Sequence, residues 1–212
     1  MTTRLELYND ALLLCGETIL SALTESREPR RLLDHVWDSD GVKACLEAGQ
    51  WRFAMRAAQL DYDPDITPEF GYQRAFAKPS DWCATSAVCS DEYFKEPLLE
   101  YNDENMYWFA DLDTIYVRYV SNDTSYGGDL SLWPTRFKDY VAAHFAEKIV
   151  FKLTGDAARM DGMVRLTEKR KREAKNHDAM SDSTKFPSRG AWVRARQGRR
   201  NRDNGNRGSL IG

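Results

Sequence analysis

No stretch of this 212-residue chain approaches the roughly 20 consecutive apolar residues that span a bilayer. The first residues, MTTRLELYNDALLLCGET, place acids among the apolar positions and have no signal-peptide layout. A protein made and kept in a cytoplasm-like compartment, with no membrane partner, is therefore expected. Cysteine is scarce and unpatterned. Cys15, Cys45, Cys83 and Cys89 form no CxxC pair and have no histidine at metal spacing. Cys15 and Cys45 fall at apolar helical positions, where a thiol behaves as a small core residue. A Cys83–Cys89 disulfide fits the spacing, but a reducing compartment argues against it.

Catalytic motifs are also missing. There is no GxxxxGK[ST], no GxGxxG after a strand, no GxSxG and no HExxH. His144 and His177 have no nucleophile or carboxylate at a recognisable spacing. DYDPD (61–65) opens like a calcium loop, but Ile66 and Tyr72 stand where an EF-hand needs Gly and Glu. Asp34, His35 and Asp38 share one helix, yet nothing nearby completes an acid–base or metal site, and Arg30 is placed to pair with Asp34. Asn122-Asp123-Thr124 matches a glycosylation sequon with no secretion signal beside it. No catalytic, cofactor or metal constellation is therefore expected from these residues, although a dispersed active site leaves no motif.

What is present is a division of charge. The formal net charge is only −3, but residues 1–164 carry 16 Lys/Arg against 28 Asp/Glu. Residues 165–212 carry 14 Lys/Arg against 5 Asp/Glu. Such asymmetry suggests different partners for the two ends. With 42% hydrophobic residues, the chain can bury one good core and a smaller second lobe.

Periodicity predicts helices over 3–23, 28–48, 134–153 and 156–176. Thr3 and Glu6 form a capping-box pattern, and Leu5, Tyr8, Leu12 and Cys15 recur at helical spacing before Gly16. Leu33, Val36, Trp37, Cys45 and Leu46 point the second helix inward. Phe137, Val141, Phe145 and Ile149 form an i+4 stripe after Pro134, and Gly155 and Asp156 separate the last two helices. Met160, Met163 and Leu166 face inward on the last one. Between the helix pairs, FGYQRAFA (70–77) and TIYVRYV (114–120) alternate as strands do, and YWFADLDTIYV reads as two strands joined at Asp111–Asp113. Residues 61–127 hold 14 acids and 4 bases. The expected fold is mainly α: a four-helix bundle-like core with a β-rich insertion between helix pairs and an extended C-terminal tail. The expected segments are a helix pair over 1–50, an acidic insertion over 51–130, a second helix pair over 131–177 and a basic tail over 178–212.

The basic end offers the candidate contacts. EKRKREAK (168–175) places Lys169, Arg170, Lys171 and Arg172 together, with Arg199 and Arg200 further on. This set suits phosphate or an acidic partner. From residue 186 onward every basic residue is arginine, the better donor for bidentate carboxylate contacts. Trp192 and Val193, among Arg189, Arg194 and Arg196, suit a segment that docks on a partner, with the aromatic filling a pocket.

LYNDALLLCGETILSALTESREPRRLLDHVWDSDGVKACLEAGQWRFAMR (7–56) resembles the N-terminal helices of head-to-tail adaptor proteins of tailed bacteriophages, among them the tail tubular protein A group of short-tailed phages. GYQRAFAKPSDW (71–82) is similar to that group's strand and turn, and helices 134–176 and GAWVRAR (190–196) fit as well. The resemblance spans about residues 5–196. Three features depart from it: Cys15 before Gly16, Lys78 where an apolar residue is commoner, and a chain that continues past Arg196. The resemblance implies a non-enzymatic virion protein forming a ring, commonly of twelve copies, between the portal and the tail or nozzle protein, assembled in the host cytoplasm. It implies that genomic DNA passes through the lumen and that Arg189, Trp192, Val193, Arg194 and Arg196 dock on the portal. The acidic insertion then meets the tail side or a neighbouring subunit, or lines the lumen, where it would let a polyanion slide. A nucleic-acid-binding protein using residues 165–212 is the main rival, and a small enzyme or assembly chaperone is a second.

Overall fold

Helix α1 (Arg4–Cys15) starts at the capping box: the Thr3 hydroxyl accepts from the Glu6 amide, and the Glu6 carboxylate accepts from the Thr3 amide. It stops at Gly16, whose φ of 77° is left-handed, so the expected helix over 3–23 is half that length. The link that follows is pinned by Asn9, whose side-chain amide bonds both backbone groups of Leu20. The helix expected over 28–48 is two helices, α2 (Glu28–Asp38) and α3 (Gly41–Glu47). Asp40 separates them at φ 59°, a conformation that no helix interior accepts. Gly41 is required there, because a Cβ would lie 2.5 Å from the Val36 carbonyl oxygen.

The structure, a computed structural model, describes residues 3–181. Six strands follow α3: β1 (Met55–Asp61), β2 (Arg74–Ala77), β3 (Trp82–Cys89), β4 (Asn102–Glu104), β5 (Tyr107–Ala110) and β6 (Thr114–Ser121). They form two three-stranded antiparallel sheets, ordered β1-β6-β3 and β2-β5-β4. The turn at Asp111–Asp113 joins β5 to β6 as expected, but the two do not pair; the chain changes sheets there. The expected strand over 70–77 contracts to four residues, because Gly71 turns the chain at φ 93°.

Helices α4 (Thr135–Thr154) and α5 (Ala157–Met180) close the body as a helical hairpin. Pro134 caps α4 rather than opening it, Gly155 ends it at φ 64°, and the Asp156 carboxylate accepts from the Ala158 amide at 2.8 Å. All four residues of the α4 stripe are buried, as is Met163, whereas Met160 is exposed.

Two cores result. The helical one gathers Leu7, Tyr8, Leu12, Leu33, Cys45, Leu46 and the α4 stripe around Trp51. The second lies between the sheets and holds Phe76, Trp108 and Ala110 from one, with Val88, Ile115, Val117 and Tyr119 from the other. Strand β6 serves both: Ile115, Val117 and Tyr119 face the sheet core, while Val120 joins the helical core.

The expected mainly α bundle is therefore corrected. Among the described residues the protein is a mixed α/β fold with five helices (45% helical) and two three-stranded antiparallel sheets (20% strand). The physical reason is that the middle segment is not an appendage: it buries its own apolar face and shares a strand with the helices. The whole body up to Met180 is one compact unit.

Candidate interaction surfaces

Arg189, Trp192, Val193, Arg194, Arg196, Arg199 and Arg200 lie outside the described residues. The other four basic candidates sit on the second half of α5, and three of them are already paired with acids. Arg170 meets Glu173 at 3.3 Å and Asp139 at 3.7 Å, and Arg136 joins the same group at 3.8 Å from Glu173. Lys169 reaches Glu173 at 4.0 Å, and Lys171 reaches Glu168 at 3.6 Å. Arg172 is exposed and makes no ion pair among the described residues. Such surface pairs are weak, about 0–1 kcal/mol each, but they neutralise much of the phosphate-binding field that the sequence suggests.

Three polar clusters hold the body together. Asp34, on α2, accepts from Arg4 at 2.7 Å, Arg30 at 2.8 Å and the Tyr8 hydroxyl at 2.9 Å. It therefore ties α2 to α1 and pairs with Arg30 as the helical spacing suggests. Burial raises the Tyr8 phenol well above its ordinary range, so it stays a neutral donor. Replacing Asp34 with Ala strands three donors that are only partly open to water. The expected loss is about 1–3 kcal/mol, read as a shift of the urea midpoint. Asn is expected to restore part of it.

Asp81 lies before β3 and accepts from Arg56 on β1 at 2.9 Å and from the hydroxyls of Tyr119 and Ser121 on β6. Burial opposes its ionisation, but the bonds from Ser121 and Arg56 outweigh that and hold the carboxyl below its usual range. Burial beside this carboxylate pushes Tyr119 up to about 12.

Lys78, just past β2, has a side chain only 1% exposed. Its ammonium donates to Asp103 on β4 and to the Asn105 carbonyl at 2.8 Å, and lies 4.0 Å from the Trp82 ring centroid. The other Asp103 oxygen accepts from Thr85 at 2.7 Å and from the Trp108 indole at 3.0 Å. Burial again opposes ionisation, yet Lys78 and Thr85 hold Asp103 below the ordinary carboxylate range. The cluster bolts the second sheet to β3 of the first.

Reactive chemistry is muted. All four thiols are free and buried, and burial pushes Cys15 and Cys83 up to about 11 and Cys45 up to about 12. Burial lowers His144, so it is neutral at pH 7. In DYDPD, Asp61 accepts from Thr114 across the β1–β6 pair, and Asp63 accepts from the Asp65 amide in a local turn. Among the described residues no group of three or more His, Cys, Asp or Glu is placed to hold a metal ion, and no helix is long and apolar enough to cross a membrane.

The features that sequence reasoning missed are apolar and exposed. Leu13, Ile19, Phe151, Met160 and Val164 stand open on the helical body, between 38% and 62% exposed. A cavity of about 400 Å³ lies between the end of α1 and the first half of α5, lined by Leu13, Leu14, Val150, Met163 and Leu166 with Arg159. A second, of about 490 Å³, lies under the 66–72 loop against Phe109, Asn102 and Glu104. Phe70 at that loop is 87% exposed. The signal for the first was present in the sequence: Leu12-Leu13-Leu14 and Phe151 put apolar side chains on more than one helix face. Comparison with known protein families and with curated proteins gives no match.

Proposed function

We propose that the chain is a structural head-to-tail adaptor of a tailed bacteriophage. Copies form a ring, twelve by the family resemblance, that joins the portal to the tail or nozzle protein. The ring helps to seal the packaged genome and forms part of the conduit through which DNA leaves, so its place is the portal vertex of the virion. The observation that carries this reading is the open apolar surface at the α1 and α4–α5 end of a body whose four thiols are buried and whose Asp34, Asp81 and Asp103 carboxylates hold the fold. Such a surface suits large protein–protein contacts. The resemblance over residues 5–196 gives it its direction.

The rival reading, a nucleic-acid-binding protein, loses support from the pairing of Lys169, Arg170 and Lys171 with acids. Electron microscopy of particles, or of the purified chain mixed with portal, tests the proposal. A ring at the portal vertex is expected. A chain that stays monomeric with portal and is missing from finished particles would overturn it.

A further inference from the structure

We infer that the cavity under the 66–72 loop is a docking site for an extended, arginine-bearing segment of a partner protein. The inference goes beyond the adaptor reading and does not depend on it.

The site is one face of the second sheet. Asn102 and Glu104 lie two apart on β4, and Asn102 stands opposite Phe109 of β5, so the three share a face. Asp103 and Trp108 take the other face and belong to the Lys78 cluster. The 66–72 loop turns the open face into a cavity of about 490 Å³. β4 is an edge strand, with β5 on one side and no strand of the described residues on the other. An extended segment can therefore pair its backbone beside β4 and send alternate side chains into the cavity.

Charge sets the chemistry of the occupant. Residues 61–78 and 98–113, which build this sheet and its loops, carry 9 Asp/Glu against 2 Lys/Arg. Both cations are engaged within the lobe: Arg74 by Asp113 at 3.1 Å, and Lys78 by Asp103. Glu69 and Glu104 line the cavity, and neither forms an ion pair among the described residues. A second copy brings the wrong sign, because residues 1–181 carry 22 Lys/Arg against 31 Asp/Glu. A cationic segment of an unlike partner has the right one.

The lobe's own cations show how such a charge is held. All four between residues 61 and 127 lie over aromatic rings. Arg74 is 4.1 Å from the Tyr62 centroid, Lys78 4.0 Å from Trp82, Lys95 5.3 Å from Tyr93 and Arg118 4.4 Å from Phe94. The cavity repeats the combination of ring and carboxylate, with Phe70, Tyr72 and Phe109 lining it together with the two glutamates. No cation of the lobe is left to serve it. Arginine suits the site better than lysine, because its planar guanidinium stacks on rings, sheds water more readily and keeps its donors in plane for carboxylates.

Fluorescence anisotropy with the purified chain and a labelled GRVRVRG peptide, whose arginines alternate along an extended backbone, tests the site. GKVKVKG and GEVEVEG are the comparison peptides. Glu69, Phe70 and Glu104 are exposed, so Glu69→Gln, Phe70→Ala and Glu104→Gln together leave the fold intact. A control variant, Glu47→Gln with Asp161→Asn, neutralises two exposed acids on the helices. GRVRVRG is expected to bind, GKVKVKG to bind more weakly and GEVEVEG not at all. The triple variant is expected to weaken GRVRVRG about tenfold or more, and the control variant less than about twofold. No binding of GRVRVRG, equal affinity for GKVKVKG, or an equal loss in the control variant would overturn the inference. Dimerisation of the chain that the triple variant abolishes would give the face to a second copy. Binding that appears only after residues 182–212 are removed would give it to the chain's own arginines. Either result overturns the partner assignment, and the ring at the portal is decided separately by microscopy.

Discussion

Trp51→Ala is expected to cost about 3–5 kcal/mol, the range for deleting a large aromatic from a packed core. For a chain of this length that is a drop of roughly 6–20 °C in melting temperature. Trp51 is 1% exposed and stands between α3 and α4 in the helical core. Its ring lies 4.8 Å from that of Phe137 and 6.2 Å from that of Tyr140, and its indole donates to the Cys45 carbonyl at 3.0 Å. Alanine leaves a cavity and an unpaired carbonyl together. Trp51→Phe fills most of the space but still strands the carbonyl, so its loss is expected to be smaller. Thermal melts followed by circular dichroism check both, and a Trp51→Ala melting temperature equal to that of the unmodified chain would contradict this account of the core.

Asp103→Ala is expected to cost about 3 kcal/mol, because it leaves the Lys78 ammonium buried without its counter-ion. That is the lower end for a broken buried pair, since Asp103 itself is one-third exposed and Lys78 keeps Trp82 and the Asn105 carbonyl. Replacing both partners, Lys78→Met with Asp103→Ala, is expected to recover most of the loss, because nothing charged is then stranded between the two tryptophans. The pH dependence has a definite sign. Asp103 is held below its unfolded pKa, about 3.9, so near that pH the unfolded chain binds more protons. Its contribution is fully present above about pH 4 and is lost as pH falls through the folded value. Urea unfolding of the unmodified chain and Asp103→Ala should therefore differ most near neutrality and converge in acid.

The sequence displays local rules well and distant partners poorly. Thr3 with Glu6, Gly16, Gly155 and Asp156 act as their residue types dictate, because a cap is settled within four residues. The stripe from Phe137 to Ile149 and strand β6 are equally legible. Asp40 is not, because aspartate enters the left-handed region in only a few places and the helical spacing runs through it unbroken. The pairing of β5 with β2 was hidden for a different reason: a three-residue turn beside β6 reads as a hairpin unless the second sheet is known. Lys78 looks out of place against the family pattern until Asp103, 25 residues onward, is seen beside it. The basic run on α5 likewise reads as free charge until Asp139 of α4 is seen beside Arg170, with Glu168 and Glu173 turned toward Lys171 and Lys169. The apolar cavity between α1 and α5 joins residues over a hundred positions apart, and no local pattern announces it.

Strand β6 gives the body its mechanical character. It is hydrogen-bonded along both edges, to β1 and to β3, and its side chains reach into both cores. The two halves therefore have no hinge between them. A pull along β6 loads two rows of hydrogen bonds in shear, so they must yield together rather than open one by one. A subunit tugged from its sheet side would pass that force to its helices as one stiff piece, and give way first in its loops.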